Sequence, residues 1–312
     1  MKRNLVWSLA LLASAAILAG AAMVKPIPAV KVSKVNERIY ALLGPAELPN
    51  AGNHGYQVNS TLILGDKGAV LIDTGLSDKV GAHIKRAAEK LTKLPITHVI
   101  NTHHHGDHTL GNVVFSGAEV VSSENCKKLL NETGSDWIAI AEGAVGYKLP
   151  DTKIIPATRT YASQTRTPVE INGVKMEFWV PEAAHTKGDM LVWLPDDKVL
   201  IVGDVLVNTT LPVFRDAEVK KWVQTLADIQ LFPAKTIIPG HGPLMTLKET
   251  AAMHKRMADF YAGVEKLYKS GGTEADVRQK VSLKEWQKLK HFNEQMGGNI
   301  NKAWLEVEAA NF

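Results

Sequence analysis

The run Thr102-His103-His104-His105-Gly106-Asp107-His108 constrains this chain more than any other stretch. It places four of the eleven histidines and a carboxylate within six positions, a density that asks for a metal ion. His103 and His105 alternate and the pair Asp107-His108 follows, so neutral imidazoles and a hard carboxylate share one loop. Such a set suits zinc and related divalent ions. The preceding Pro95-Ile96-Thr97-His98-Val99-Ile100-Asn101 is a short β-branched apolar run that reads as a buried strand. The histidines therefore stand just past a strand end, where open α/β sheets build their sites.

The 312 residues, 45% of them apolar, suffice for one large core or two small ones and exclude a disordered chain. The first residues stand apart. Lys2 and Arg3 precede an apolar run from Leu5 to Leu18, and Ala19-Gly20-Ala21-Ala22 offers small residues for cleavage, so residues 1–22 read as a secretory signal peptide. The competing reading is a retained anchor, but the run is short for a bilayer span of about 20 residues and lacks a positive stop. The expected mature protein is periplasmic or secreted, with no stable membrane anchor. Loss of Lys2 and Arg3 lowers the formal charge from +4 to +2, and nothing suggests nucleic acid. Cys126 is the single cysteine, so no intramolecular disulfide forms, and its setting reads as a helix start.

Along the chain, 29–43 alternates as two short strands and 48–57 reads as a loop. Residues 58–64 and 69–73 flank the turn Gly65-Asp66-Lys67-Gly68, a helix is expected over 78–94, and a strand at 118–121 precedes a helix from Ser123 into Ala141. The second half restarts with strands: a hairpin over 169–180 around Asn172-Gly173, then 191–194 and 198–202 around Pro195-Asp196-Asp197. A helix over 218–231 and a strand over 236–238 complete it. From Leu247 onward the pattern is wholly helical, broken near Gly271-Gly272 and Gly297-Gly298. Two strand-rich halves with interleaved helices argue for two sheets packed together with helices outside.

Three further candidates each end an apolar strand: His185 in Ala184-His185-Thr186-Lys187-Gly188-Asp189, Asp204 in Ile201-Val202-Gly203-Asp204, and His241 in Pro239-Gly240-His241-Gly242. In order with the first loop, they resemble the metallo-β-lactamase superfamily over Lys31 to Gly242. The resemblance implies a four-layer αββα sandwich (α/β class) over 29–245 with its site between the sheet edges, and a helical C-terminal extension over 246–312 packed on it. It implies that His103, His105 and His185 hold one ion, that Asp107, His108 and His241 hold the other, and that Asp204 bridges them. The expected cofactor is two zinc ions, with iron or manganese able to load because Asp204 offers oxygen. The implied reaction is attack of water, activated between the ions, on the carbonyl of a small cyclic amide, lactone or ester, with Asp107 also orienting that water and carrying a proton.

Asp73, ending the strand beside the metal loop, is expected to fix an imidazole tautomer, with capping of the next helix as its alternative. His54 and Tyr56, in a loop before a strand, are candidates for substrate contact. His104 is expected to point outward or to lie behind the ligands, His98 to be a core histidine, and His83, His254 and His291 to be surface or packing residues. Within the family, His185 to Pro195 is similar to class B β-lactamases, but those place Cys or Ser where this chain has Asp204. A general hydrolase results, with β-lactam hydrolysis within its range. A thioesterase resembling glyoxalase II shares the aspartate but fits poorly with export, and a mono-iron persulfide dioxygenase needs no second ligand group. The expected partner is a small-molecule substrate, and no feature fixes an oligomeric state. The aromatic residues of the tail are expected to pack on the sandwich, a substrate-shaping lid being the alternative.

Overall fold

Strands whose alternate residues are both apolar must bury two faces, and this chain does so by stacking two sheets between helices. The computed structural model describes residues 25–311; the expected signal peptide, 1–22, lies outside them. Strands β1 (Lys31–Lys34), β2 (Ile39–Leu43), β3 (Ser60–Leu64), β4 (Ala69–Ile72), β5 (Ile96–Ile100), β6 (Glu119–Ser123) and β7 (Arg159–Tyr161) lie in chain order across the first sheet. β1 to β4 are antiparallel and β4 to β7 parallel. The parallel crossovers carry α1 (Asp78–Leu91), α2 (Gly106–Thr109) and α3 (Glu124–Val145). Ser77 caps α1 and Ser123 caps α3, each hydroxyl accepting a backbone N–H of the first turn.

The second sheet contains β8 (Thr165–Ile171), β9 (Val174–Val180), β10 (Leu191–Leu194), β11 (Val199–Gly203) and β12 (Thr236–Pro239), in the order β12-β11-β10-β9-β8. Only β11 and β12 run parallel, joined through α4 (Val219–Ile229). The tail adds α5 (Leu247–Lys269), α6 (Val277–Lys280) and α7 (Phe292–Ala309).

The pleat sorts side chains between layers. On β4, Val70 and Ile72 meet Phe178, Val192 and Ile201 of the other sheet, while Ala69 and Leu71 meet Val80 and Ile84 of α1. On the second sheet, Leu191, Trp193 and Leu200 turn outward onto a core shared with Trp222 of α4, Phe260 of α5 and Trp304 of α7. The result is the expected αββα sandwich, and the tail belongs to its outer helical layer.

Three expectations change. Helix α1 ends at Leu91 because Thr92 is already extended ahead of Pro95. The tail is not wholly helical: 281–291 leaves the helical path, and Lys290 bridges to Thr210. Nor do Gly297 and Gly298 break α7. Met296, Ile300, Ala303, Trp304 and Val307 bury one face of that helix, and this packing outweighs the roughly 1 kcal/mol that each glycine costs. No described helix is long and apolar enough to cross a membrane.

Phe260 is buried against Trp286, ring centroids 5.3 Å apart. Phe260→Ala should cost about 3–5 kcal/mol in urea unfolding, as other large core truncations do. A loss below about 1 kcal/mol would show that the tail does not share the core.

Candidate metal centre

Every ligand-bearing segment leaves the end of a strand. The chain exits β5 through Asn101 and Thr102, and α2 then turns Asp107 and His108 back beneath the loop. His185 follows β9, Asp204 follows β11 and His241 follows β12. These three strands share one direction, so their ends meet at one edge of the second sheet.

The structure brings all seven sequence-expected ligands together. His103, His105 and His185 form one group, with His185 Nε2 3.1 Å from His105 Nδ1. Asp107, His108 and His241 form another, with Asp107 Oδ2 3.1 Å from His241 Nε2. Asp204 lies between them, with Oδ1 3.4 Å from His108 Nε2 and Oδ2 3.4 Å from His241 Nε2 and 3.8 Å from His185 Nε2. Three buried atoms, His103 Nε2, His108 Nε2 and Asp204 Oδ1, make no hydrogen bond. A buried polar atom without a partner costs about 1–3 kcal/mol, a cost that a coordinated cation removes.

The electrostatics divide the site. Burial holds His103 well below the usual imidazole value, and the adjoining His108 and His105 reinforce it. Burial, then His105, brings His185 down to about 3. His103 and His185 are thus neutral and ready to donate lone pairs. At the other end burial also disfavours charge, but Asp107, Asp204 and Asp73 outweigh it and raise His108. The Asp204 charge and the hydrogen bond that the His241 ring donates to Asp107 likewise carry His241 up to about 10. The carboxylates thus favour a proton on both His108 and His241, and a cation binding there competes with those protons.

Behind the ligands, three carboxylate and amide contacts fix their aim. The Asp73 carboxylate faces His108 Nδ1 at 2.8 Å and accepts from the Thr102 N–H and hydroxyl, so it is no helix cap. Asp216 Oδ2 lies 2.8 Å from His105 Nε2, which turns Nδ1 inward. Gln57 donates from Nε2 to Asp107 Oδ2 at 2.8 Å, and its carbonyl lies 3.1 Å from His241 Nδ1. Gly240 must lack a side chain, because a Cβ there would collide with the Asp204 carboxylate and the His108 ring.

The metal groups open into a cleft of about 220 Å³, with Leu48, Trp137, Val207, Arg215, His291 and Gln295 in its walls. His54 and Tyr56 are not among them. Tyr56 is wholly buried in the core beneath α1, and the His54 ring is spent on Tyr147 Oη and the Lys25 carbonyl. Both side chains turn inward because their loop wraps over that core. His104 is buried beside Trp137 rather than outward, and burial pushes it down to about 3. His98 is half-buried beside Glu119, and His291, expected to be a packing residue, lines the cleft. Asp216, Gln57, Arg215 and Gln295 carry no local signal in the sequence: they lie in loops or the tail, and only the tertiary fold brings them to the site.

The metallo-beta-lactamase superfamily model matches residues 54–241. The chain is 26% identical over 233 residues to the linear primary-alkylsulfatase of a Pseudomonas species, covering 63% of this chain but only 43% of that protein. It is 24% identical over 223 residues to the metallo-beta-lactamase type 2 of Bacillus cereus, covering 68% of this chain and 77% of that protein. Among solved structures, the metallo-beta-lactamase from Pontibacter korlensis matches with a TM-score of 0.59 at 24% identity, over 74% of this chain and 99% of that one.

Asp73→Asn and Asp216→Asn should each lower metal affinity ten- to a hundredfold in competition with a chromophoric chelator, with circular dichroism unchanged. Unaltered affinity in both would remove their orienting role. Because their carboxylate neighbours raise His108 and His241, protons compete with the metal there, and metal affinity at their end should fall on acidification. The fall should approach roughly a hundredfold per pH unit if both protons are displaced together. Titration calorimetry in buffers of different ionisation enthalpy counts those protons, and none released would contradict the assignment.

Proposed function

The chain belongs to the metallo-β-lactamase superfamily, and on that premise we propose that it is an exported binuclear zinc hydrolase acting on a small cyclic amide, lactone or ester. One observation carries the reading: two complete three-residue groups are joined by a single carboxylate, Asp204, within 3.8 Å of members of both. His103, His105 and His185 would hold one ion, Asp107, His108 and His241 the other, and Asp204 both. The two ions supply an activated water and an electrophilic seat for the substrate carbonyl.

The remaining work falls to the chain itself. Asp107, in the cleft wall and anchored by Gln57, orients the attacking water, takes its proton on a carboxylate oxygen and returns it to the leaving group. Trp137, Leu48 and Val207 form apolar walls that exclude bulk water. Oxygen from Asp204 in place of a thiolate hardens the site, which favours a general hydrolase and lets iron or manganese load. The same aspartate supports a second reading, a thioesterase resembling glyoxalase II. The complete second group argues against a mono-iron oxygenase.

Purified mature protein should contain about two ions per chain and hydrolyse at least one of a β-lactam, a lactone, a thioester, an aryl sulfate and a phosphodiester. Chelator should abolish that turnover and zinc restore it. Turnover that ignores chelator would contradict the mechanism. Asp107→Asn should lower kcat by about 10²–10⁴ while much of the metal remains. Activity retained with metal bound would sink its proton role. For export, N-terminal sequencing of the secreted or periplasmic protein should begin just after Ala22, and an intact Met1 on a membrane-bound chain would overturn it.

A further inference from the structure

Gln57 touches two members of the second ligand group at once: its side-chain Nε2 donates to Asp107 Oδ2 at 2.8 Å, and its carbonyl accepts from His241 Nδ1 at 3.1 Å. Asp107 Oδ2 is the oxygen turned toward the other ligands of that group, 3.1 Å from His241 Nε2 and 3.5 Å from His108 Nε2. A carboxylate only accepts, so the amide must turn its nitrogen, not its oxygen, to Asp107. That nitrogen carries two N–H groups. One is used on Asp107, no described residue accepts the other, and Gln57 lines the cleft. The backbone beneath the amide cannot drift. Tyr56 and Val58 on either side are buried in the core beneath α1, and Asn59 is bonded to the carbonyls of Pro239, Gly240 and Gly242. Ahead of it, Asn53 accepts from the Asn50 and Gly55 N–H groups and donates to the Leu48 carbonyl, so the loop is cross-linked through its own side chain. A fixed N–H donor facing a cleft is suited to charge that develops during a reaction, because it needs no reorganisation at that moment.

We propose that Gln57 is a catalytic residue, whose second Nε2–H donates to the substrate's leaving atom as that atom gains negative charge; the proposal rests on the hydrolase reading. In the step, the oxygen of the attacking water bonds to the carbonyl carbon and its proton passes to Asp107. The bond from that carbon to the leaving oxygen or nitrogen then breaks, its electron pair stays on the leaving atom, and Asp107 returns the proton there. Gln57 keeps both N–H groups and stabilises the charge between cleavage and protonation. One side chain thus aims the proton carrier and receives the atom for which the proton is bound. Arg215, the cation of the wall, is engaged elsewhere: it pairs at 3.1 Å with Asp216, the partner of His105 in the first ligand group, and lies over Trp137.

The test compares zinc-loaded wild type, Gln57→Met and Gln57→Asn at equal metal content. Methionine keeps the length and removes both N–H groups, and asparagine withdraws the amide by one methylene. The substrates are 4-nitrophenyl, phenyl and ethyl butyrate, whose leaving oxygens grow more basic in that order. In both variants kcat should fall by about 10²–10³ for the ethyl ester and change little for the nitrophenyl ester. Titration calorimetry with 4-nitrophenolate, whose oxygen stands for the leaving atom, adds a readout free of turnover. Both variants should bind it about tenfold more weakly, and Gln57→Met should do so in an Asp107→Asn background as well. Weakening confined to the native Asp107 would mean that Gln57 only positions the carboxylate, and it overturns the donor role. Unchanged phenolate binding, or a loss of kcat equal across the three esters, overturns it too. Weaker phenolate binding in both backgrounds, with no turnover of any ester, lactone or lactam, upholds the donor and overturns the hydrolase reading alone.

Discussion

The Asp73 carboxylate lies at the end of β4, 2% exposed, and meets three groups of the neighbouring loop: the Thr102 N–H, the Thr102 hydroxyl and His108 Nδ1. Asp73 itself is left-handed at φ 59°, a conformation that its short polar side chain tolerates and that this network holds in place. Two consequences follow from these contacts. His108 presents Nε2, not Nδ1, to the metal centre, and the loop carrying four ligands is tied to the strand beside it. The loop is tied again by the Thr74 N–H and the Asn101 side chain, both donating to the His108 carbonyl. Ligands thus sit on backbone that has lost its freedom before any metal arrives, which is what tight, specific coordination requires.

The other half of the centre depends on how the two sheets meet. Asn59, at the entrance to β3, donates through its backbone to the Gly240 carbonyl and through its side chain to the Pro239 and Gly242 carbonyls. It stitches the first sheet to the turn bearing His241. Gly240 lets that turn approach Asp204 and His108 without obstruction. Each ligand group draws on both sheets, so sheet packing, with the Phe178, Val192 and Ile201 layer as the spacer, brings His185, Asp204 and His241 up to the loop that carries the other four ligands.

Residues whose role follows from local pattern were legible in the sequence. The strand ends and the hairpin at Asn172-Gly173 follow from periodicity and turn chemistry, the metal loop from its density of histidines, and the grouping of the ligands from the family resemblance. Asp73 was legible too, because it ends a strand next to the metal loop. What was not legible depends on long-range approach. Asp216 reaches His105 across 111 positions and Gln57 reaches Asp107 across 50. Tyr56 illustrates the reverse error: its loop composition suggested exposure, but the neighbouring helix buries it. In α7, local propensity pointed to a break at Gly297-Gly298, and the buried face of the helix overruled it.

That helix also shows how core packing and the cleft wall can share one element. Met296, Ile300, Ala303, Trp304 and Val307 face the core that α5 and the second sheet supply. His291 and Gln295 lie on a different side and line the cleft, with Asn299 between the two sides holding the loop that follows Asp204. A change at 291 or 295 alters what the cleft contacts while leaving the buried face intact, so its energetic cost is confined to a few polar contacts. A change on the buried face loosens the helix and, through Asn299, the loop whose walls define the cleft. Metal chemistry rests on the strand ends, and the tail supplies a wall that can be varied independently of it.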